Sequence, residues 1–503
     1  MKKIILTITA AAFLLYSCED AQEIVQPSEF NFAAAFQNID DLKTSTIAVY
    51  GAADNQDEIQ FTSHFTDECA LGNSAASGSA AARLQLNVGD FFAEEIWANN
   101  YLTILNANIV LLGSNEITPA DATEQALFDE SIGEAYALRA YAHLKLLAYF
   151  GEDLSDRNSA GIINVDFVPS IEDVLPRNTV GESIDFINDD LDEAERLLTN
   201  AGTGYSPIFV SVDFVRALRA RANAYVGNYG AAVTAANNVL SNFSLPTAAD
   251  SDSYGNLWED VYTLTSTNQE VIFRFNATEN NGNSIGQIYN TNASTAAGAP
   301  LYEMSRNLFN QLELNEANFG DIRRQIYIDP TSIIAADYPS TTDPREDDLL
   351  VVDKYPGDVS IPSLVGGYTN DQKVIRTVEM HFILAEAAIV NGDLMEAAAQ
   401  IKTIRDARYT IQQPAPVYSS AIDAWQDVLA ERKIELFAEG HRYIDIKRLG
   451  SLANTGYDRN ETDCSFVQGN ECDLSFSDFR ARALPIPAEE IRANAGIQQN
   501  PGY

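Results

Sequence analysis

Two short passages of the chain repeat each other, and that repeat constrains the fold more than any other feature. Ala220, Ala222, Gly227, Asn228, Tyr229 and Ala232 stand at the same internal spacing as Ala385, Ala387, Gly392, Asp393, Leu394 and Ala397. Small residues let paired helices approach closely and each glycine supplies the turn, so both passages predict helix-turn-helix units of tetratricopeptide type. They lie too far apart for a plain tandem array. Something large is inserted between them.

Further helices follow from the hydrophobic pattern. Ile132 to Phe150 is apolar nearly all round, which predicts a buried helix, and Val180 to Leu198 is an amphipathic partner opened by Thr179 as its cap. The earliest pair is Ile39 to Gly51 with Glu94 to Leu112, where Trp97, Tyr101 and Ile104 sit at helical spacing. Between these segments, Gln60 to Asp90 and Thr278 to Pro300 are rich in small polar residues and predict long loops of the kind that carry function. Gln269 to Asn276 alternates as a half-buried strand would, and Asn307 to Arg323 returns to helix. Near the end, Pro485 and Pro487 forbid helix and predict an extended segment laid along the surface.

The densest charge pattern is Glu431 to Gly450. Glu431, Glu435 and Glu439 repeat at four, Ile434, Phe437 and Ile444 share another face, and Arg442, Asp445 and Arg448 repeat at three beyond Gly440. Charge pattern alone favours a solvated, salt-bridged helix. The interruption at Gly440 points instead to a kinked helix pair with a partly buried ion network.

Lys2 and Lys3, an apolar run from Ile4 to Tyr16 and then Cys18 read as an export signal over residues 1–17, too short to span a bilayer. Leu15, Tyr16, Ser17 and Cys18 resemble a lipobox, which would make Cys18 an acylated first residue. One chain anchors only marginally, at roughly 0.8 kcal/mol per buried methylene, so stable attachment requires several. Glu19 and Asp20 are similar to the signals that send such lipoproteins to the outer face. The formal charge of −40 repels nucleic acid and polyanions at long range, so the default ligand is neutral. Cysteine use agrees with export: Cys464 and Cys472 enclose a short polar loop that a disulfide could close, leaving Cys69 as a buried free thiol.

The run Glu431, Arg432, Lys433, Glu435, Leu436, Glu439, Gly440, Arg442, Asp445, Lys447 and Arg448 resembles the C-terminal signature of the SusD/RagB family. So do Arg139 to Gly151, the Trp97 helix, Leu257 with Trp258, Asp321 with Arg323, and the closing Ala483 to Pro487 with Gln499 to Tyr503. The resemblance implies a mainly α fold, a SusD-like α/α superhelix of four tetratricopeptide-like helix pairs with a large loop-rich inserted subdomain containing short strands. It divides the chain into a lipid-anchored linker over 18–38, an N-terminal region over 39–240, a ligand-side insertion over 241–375 and a C-terminal region over 376–503. It also implies a surface lipoprotein of the outer membrane that captures oligosaccharide and closes over a SusC-like TonB-dependent barrel. In that family the charged C-terminal segment is structural.

No HExxH, GxSxG, CxxC or phosphate-cradling glycine motif occurs, and His64, His143, His381 and His441 are isolated, so no catalytic residue and no cofactor is expected. Among 72 acidic residues, paired carboxylates carry no signal for a glycosidase. Asp250, Asp252 and Tyr254 imitate the start of a calcium loop, but Val261 stands where a bidentate Glu is required, so an ordinary polar turn is expected and no metal. A sugar receptor needs aromatic faces and planar polar groups. One stacked ring contributes about 2 kcal/mol against the roughly 4 kcal/mol of a millimolar complex, so several contacts are required. The loops offer Phe61, His64, Phe65, Tyr289 and Tyr302 as platforms, with Asn73, Asn283 and Gln287 among their polar partners, whereas Trp97, Trp258 and Trp425 are assigned to the core. Alternatives are RagB-like capture of peptide or another nutrient, a tetratricopeptide scaffold for a protein partner, and a surface hydrolase.

Overall fold

The computed structural model describes residues 32–72, 80–170, 172–260, 270–277, 285–289, 300–334, 350–357, 370–465 and 472–503. The helices stack largely in chain order. α1 (Ile39–Ala52) leads through the short α2 (Gln56–Phe65) to α3 (Phe91–Gly113), which packs on both α1 and α4 (Ala122–Phe150). α5 (Val180–Ala201) lies along α4, α6 (Val212–Tyr225) along α5, and α7 (Tyr229–Leu240) along α6. The chain then leaves the stack to build α8 (Ser251–Trp258), α9 (Arg306–Phe319) and α10 (Arg323–Tyr327). It returns as α11 (Thr377–Val390), which packs on α7, and continues through α12 (Leu394–Asp406), α13 (Ala421–Glu435) and α14 (Arg442–Ala453). The insertion inferred from the repeat is therefore real, and the superhelix closes across it.

The two repeat copies fold alike down to single hydrogen bonds. Asn228 donates its backbone N–H to Asn223 O, and Asp393 donates to Ala388 O, both at 2.9 Å. Gly227 and Gly392 adopt φ of +74° and +76° with open space where a Cβ would point. Glycine is needed there for the left-handed backbone alone. Buried ion pairs lock neighbouring helices: Arg139 of α4 grips Asp190 of α5 at 2.6 Å, and Arg221 of α6 grips Glu379 of α11 at 2.6 Å. Thr179 and Glu182 form the reciprocal cap that opens α5.

Strands come in antiparallel pairs. β1 (Cys69–Leu71) pairs with β3 (Tyr302–Met304), and β2 (Val271–Phe275) with β4 (Gln372–Arg376); a last pair joins Tyr457–Asp458 to Asp473–Leu474. One hydrophobic core runs the length of the stack, and a second fills the insertion and takes in Ile434, Phe437 and Ala438.

Several expectations are corrected. β2 is buried on both faces rather than half-buried, because Phe273 packs on Phe214 of α6 while Arg274 pairs with Asp371. The Pro485 to Pro487 segment is extended but not superficial: Leu484 and Ile486 are buried, with Leu484 N–H bonded to Tyr149 O and the Asn500 side chain bridging Phe150 O and Leu484 O. α2 carries on through Gln60 to Phe65, where the sequence suggested the start of a loop. Asp250 caps α8 instead of turning back, its carboxylate accepting from Ser253 N–H.

The ion network is buried outright. Ala438 and Gly440 both take left-handed conformations and turn α13 into α14. Around that turn, Arg376 donates to Glu270, Glu435 and Glu439 at 2.7–2.9 Å, and Arg408 donates to Glu270 and Glu435 at 2.5–3.1 Å. Arg323 holds Asp321 through two bonds and reaches Glu431 at 2.7 Å. Lys354 caps Phe437 O at 2.7 Å and pairs with Glu439 at 2.8 Å, its ammonium 4.1 Å from the ring centres of Trp258 and Tyr327. Burial would raise the Glu435 carboxyl, but Arg408, Arg376 and Arg323 outweigh it and hold the group well below the usual carboxylate range. Arg323 and Lys354 come from the insertion and Glu431, Glu435 and Glu439 from the α13–α14 region, so the network fastens one to the other.

Candidate functional site

Five of the expected contact residues converge on one corner, where α2 runs into β1 and β1 pairs with β3. His64 and Tyr302 pack at a tilt of 37°, ring centres 3.7 Å apart, with the Tyr302 hydroxyl 2.9 Å from His64 Nδ1. The Tyr289 hydroxyl lies 2.7 Å from Ser63 Oγ, and its ring stacks on Tyr355. Phe61 stacks on Phe65 at 5.2 Å, and both present edges to Tyr443.

These residues are not contact surfaces as the sequence suggested. Phe61, Phe65 and Tyr289 are each 0% exposed, and His64 and Tyr302 are 6% exposed. Phe92, Tyr149 and Tyr443 cover the remaining sides of Phe61, so no sugar ring could reach it. The five are the packed support of the corner. Asn73 and Asn283 lie outside the described residues, as do Cys18 and the side chain of Gln287. Cys464 and Cys472 are joined as a disulfide with Cα atoms 5.7 Å apart, and Cys69 is a buried free thiol.

Residues unremarked in the sequence hold the support rigid. Asp67, in the turn between α2 and β1, accepts two hydrogen bonds from Arg442 at 2.8 and 3.0 Å and one from Lys433 at 2.8 Å. Burial opposes its ionisation, yet those two cations keep its carboxyl well below the ordinary range. Arg459 binds the carbonyls of Thr66, Ala82 and His64. The charged C-terminal segment therefore reaches the corner directly: Lys433 and Arg442 pin the turn on which β1 depends. No signal in one sequence pairs Asp67 with Arg442.

Electrostatically the corner is quiet. Burial, reinforced by Arg459, depresses the His64 imidazole to about 3, so it is neutral and a hydrogen-bond acceptor is available to the Tyr302 hydroxyl. Burial pushes the Glu68 carboxyl up to about 8 and raises the Cys69 thiol well above its ordinary value. A neutral imidazole, a protonated carboxyl and an un-ionised thiol make a poor nucleophilic centre. Among the described residues no cluster of His, Cys, Asp and Glu could hold a metal ion.

At the edge of the corner Gly72, just after β1, donates its N–H to Leu301 O at 2.9 Å, so residues 72 and 301 lie side by side. A Cβ on Gly72 would lie 2.2 Å from Pro300 O, so glycine permits that close approach. Among the described residues no helix is long and apolar enough to cross a membrane.

Comparison with known proteins agrees with this architecture. A family model described as the SusD family matches residues 331–503, and one described as starch-binding associating with outer membrane matches residues 18–209. SusD-like protein P38 of Formosa agariphila is 25% identical over 494 residues, covering 86% of this chain and 88% of that protein. A SusD superfamily crystal structure from Bacteroides thetaiotaomicron superposes with a TM-score of 0.73 at 21% identity, covering 92% of this chain and all of that one. A laminarin-binding SusD-like protein superposes with a TM-score of 0.66 at 20% identity, covering 92% and 99%. With the stacked helix pairs, the inserted subdomain and matches at both ends of the chain, this protein is a member of the SusD/RagB family.

Proposed function

We propose that the protein is a cell-surface lipoprotein, anchored through Cys18, that captures a neutral oligosaccharide and delivers it to a SusC-like TonB-dependent barrel. The observation that carries this reading is the family match at both ends of the chain, one half of it to a starch-binding, outer-membrane-associated model. The similarity to a laminarin-binding structure and the net charge of −40 both favour an uncharged glycan. Binding without chemistry suits a corner where His64, Glu68 and Cys69 are un-ionised and Asp67 is tied up by Arg442 and Lys433. Contacts to the glycan would come from Asn73, Asn283 and Gln287. Modest affinity suffices for capture because a tethered receptor works at high local concentration.

Native affinity electrophoresis of residues 19–503 tests the capture step. Retardation in gels containing starch or laminarin, and none in gels containing an anionic polysaccharide, is the expected result. Unretarded migration in every neutral glycan, with retention by peptide instead, would replace the proposal with RagB-like peptide capture.

A further inference from the structure

A cleft on the other side of Lys433 shares only that residue with the corner. It encloses about 590 Å³ between α9, the segment after α12 and the outer side of α13. Asn307, Gln311 and Asn315 of α9 line it, four residues apart and so on one helix face, about 6 Å from one to the next. Their carboxamides are pre-aligned. Gln311 Nε2 donates to Asn315 Oδ1 at 2.8 Å, Asn315 Nδ2 to Asp321 at 3.4 Å, and Asn307 Oδ1 accepts from Asn460 at 3.0 Å. A carboxamide has two donor hydrogens and two lone pairs, so each polar group of Asn307 and Gln311 keeps capacity for a ligand hydroxyl.

The C-terminal end of that helix row and the facing wall supply complementary chemistry. Phe319 stacks on the buried Tyr409 at 5.2 Å and closes one end, leaving the half-buried Phe319 ring at the cleft. Pro414 and Pro416 add C–H surface. The cleft's charges are matched within it or just beside it: Arg405 bonds Glu431 and Asp427 at 2.7 Å each, and Lys433 is occupied by Asp67. Paired charges beside carboxamides with spare hydrogen-bonding capacity suit a neutral polyhydroxyl ligand better than an ion, which would have to break an existing pair.

We propose that this cleft is a second oligosaccharide-binding site, taking a neutral glycan along the carboxamide row with a sugar ring against Phe319. The inference rests on the glycan-receptor reading of the preceding subsection. Two sites on one receptor would hold a long chain by avidity while its end is engaged elsewhere.

Calorimetric stoichiometry tests it on residues 19–503, with maltoheptaose and laminarihexaose as probes. The exposed Gln311→Ala substitution and the Phe319→Ala substitution should each reduce two bound oligosaccharides to one. The melting temperature of the Gln311→Ala variant should match that of the unaltered protein. One binding event that neither substitution alters overturns the second site and leaves the receptor reading standing. Silence with both probes overturns both, and a cleft titrated by a neutral peptide but not by either sugar overturns the second site alone.

Discussion

Glu435 sits at the centre of the buried ion network. Its carboxylate, fully buried, serves Arg376, Arg408 and Arg323 together, and the Tyr254 hydroxyl adds a fourth donor at 3.1 Å. Removing one partner of a buried ion pair leaves the other uncompensated, so Glu435→Ala should cost at least about 3–5 kcal/mol, read as a lower urea midpoint. The pH dependence has a definite sign. Glu431, Glu435, Glu439 and Asp67 are all held below their ordinary values by neighbouring cations despite burial, so their stabilisation is present above the unfolded-state pKa and is lost as pH falls through the folded-state value. Stability should drop steeply below about pH 4. Glu68 acts in the opposite sense. Its carboxyl is raised by burial to about 8, so the native state holds a proton that the unfolded chain has released above about 4.5, and stability declines from there towards pH 8. Glu68→Gln should flatten that decline and exceed the unaltered protein in urea midpoint at pH 8. An unchanged slope between pH 5 and 8 would contradict the assignment.

Elements show which parts of the fold a sequence can reveal. The repeat predicted both helical hairpins because small residues and a turn glycine leave a local pattern, and the structure returns it bond for bond. Gly227→Ala and Gly392→Ala should each cost about 1 kcal/mol by forcing a side chain into the left-handed region, with closely similar losses in thermal stability. α2 left no such trace. His64 faces Tyr302 while Phe61 and Phe65 face Tyr443, yet all are covered, and a helix buried on several sides has no single apolar stripe to detect. The same loss of contrast hid the double burial of β2. Charge pattern misled for a related reason: alternating glutamate and arginine normally marks a solvated face, and only the arrival of Arg323, Arg376 and Arg408 from distant parts of the chain makes burial tolerable. The corner itself offers a sharper element-level test. Gly72→Ala should push β1 from Pro300 and weaken glycan binding by about tenfold or more, 1.4 kcal/mol, while leaving the helical stack intact by circular dichroism.

Seen as a whole, the molecule is a helical superhelix carrying an insertion, and the two share a seam of buried charge. The stack, the insertion and the family were readable because they rest on local spacing and on motifs spread along the chain. The corner was only half readable: residues chosen as sugar platforms do gather in one place, but they are covered by one another and by their neighbours. His64, Tyr289 and Tyr302 tie α2 to the insertion. The overall charge of −40 also separates ligand classes, since screening acts on charged partners and scarcely on neutral ones.

The most direct test of the receptor reading is a calorimetric titration of residues 19–503 with laminarihexaose, maltoheptaose, an acidic oligosaccharide and a peptide, each at low and high salt. One or both neutral glycans should bind with micromolar to millimolar affinity that salt leaves unchanged, and the acidic sugar and the peptide should not bind. Salt-sensitive binding of the acidic sugar, or binding of the peptide alone, would contradict the receptor reading.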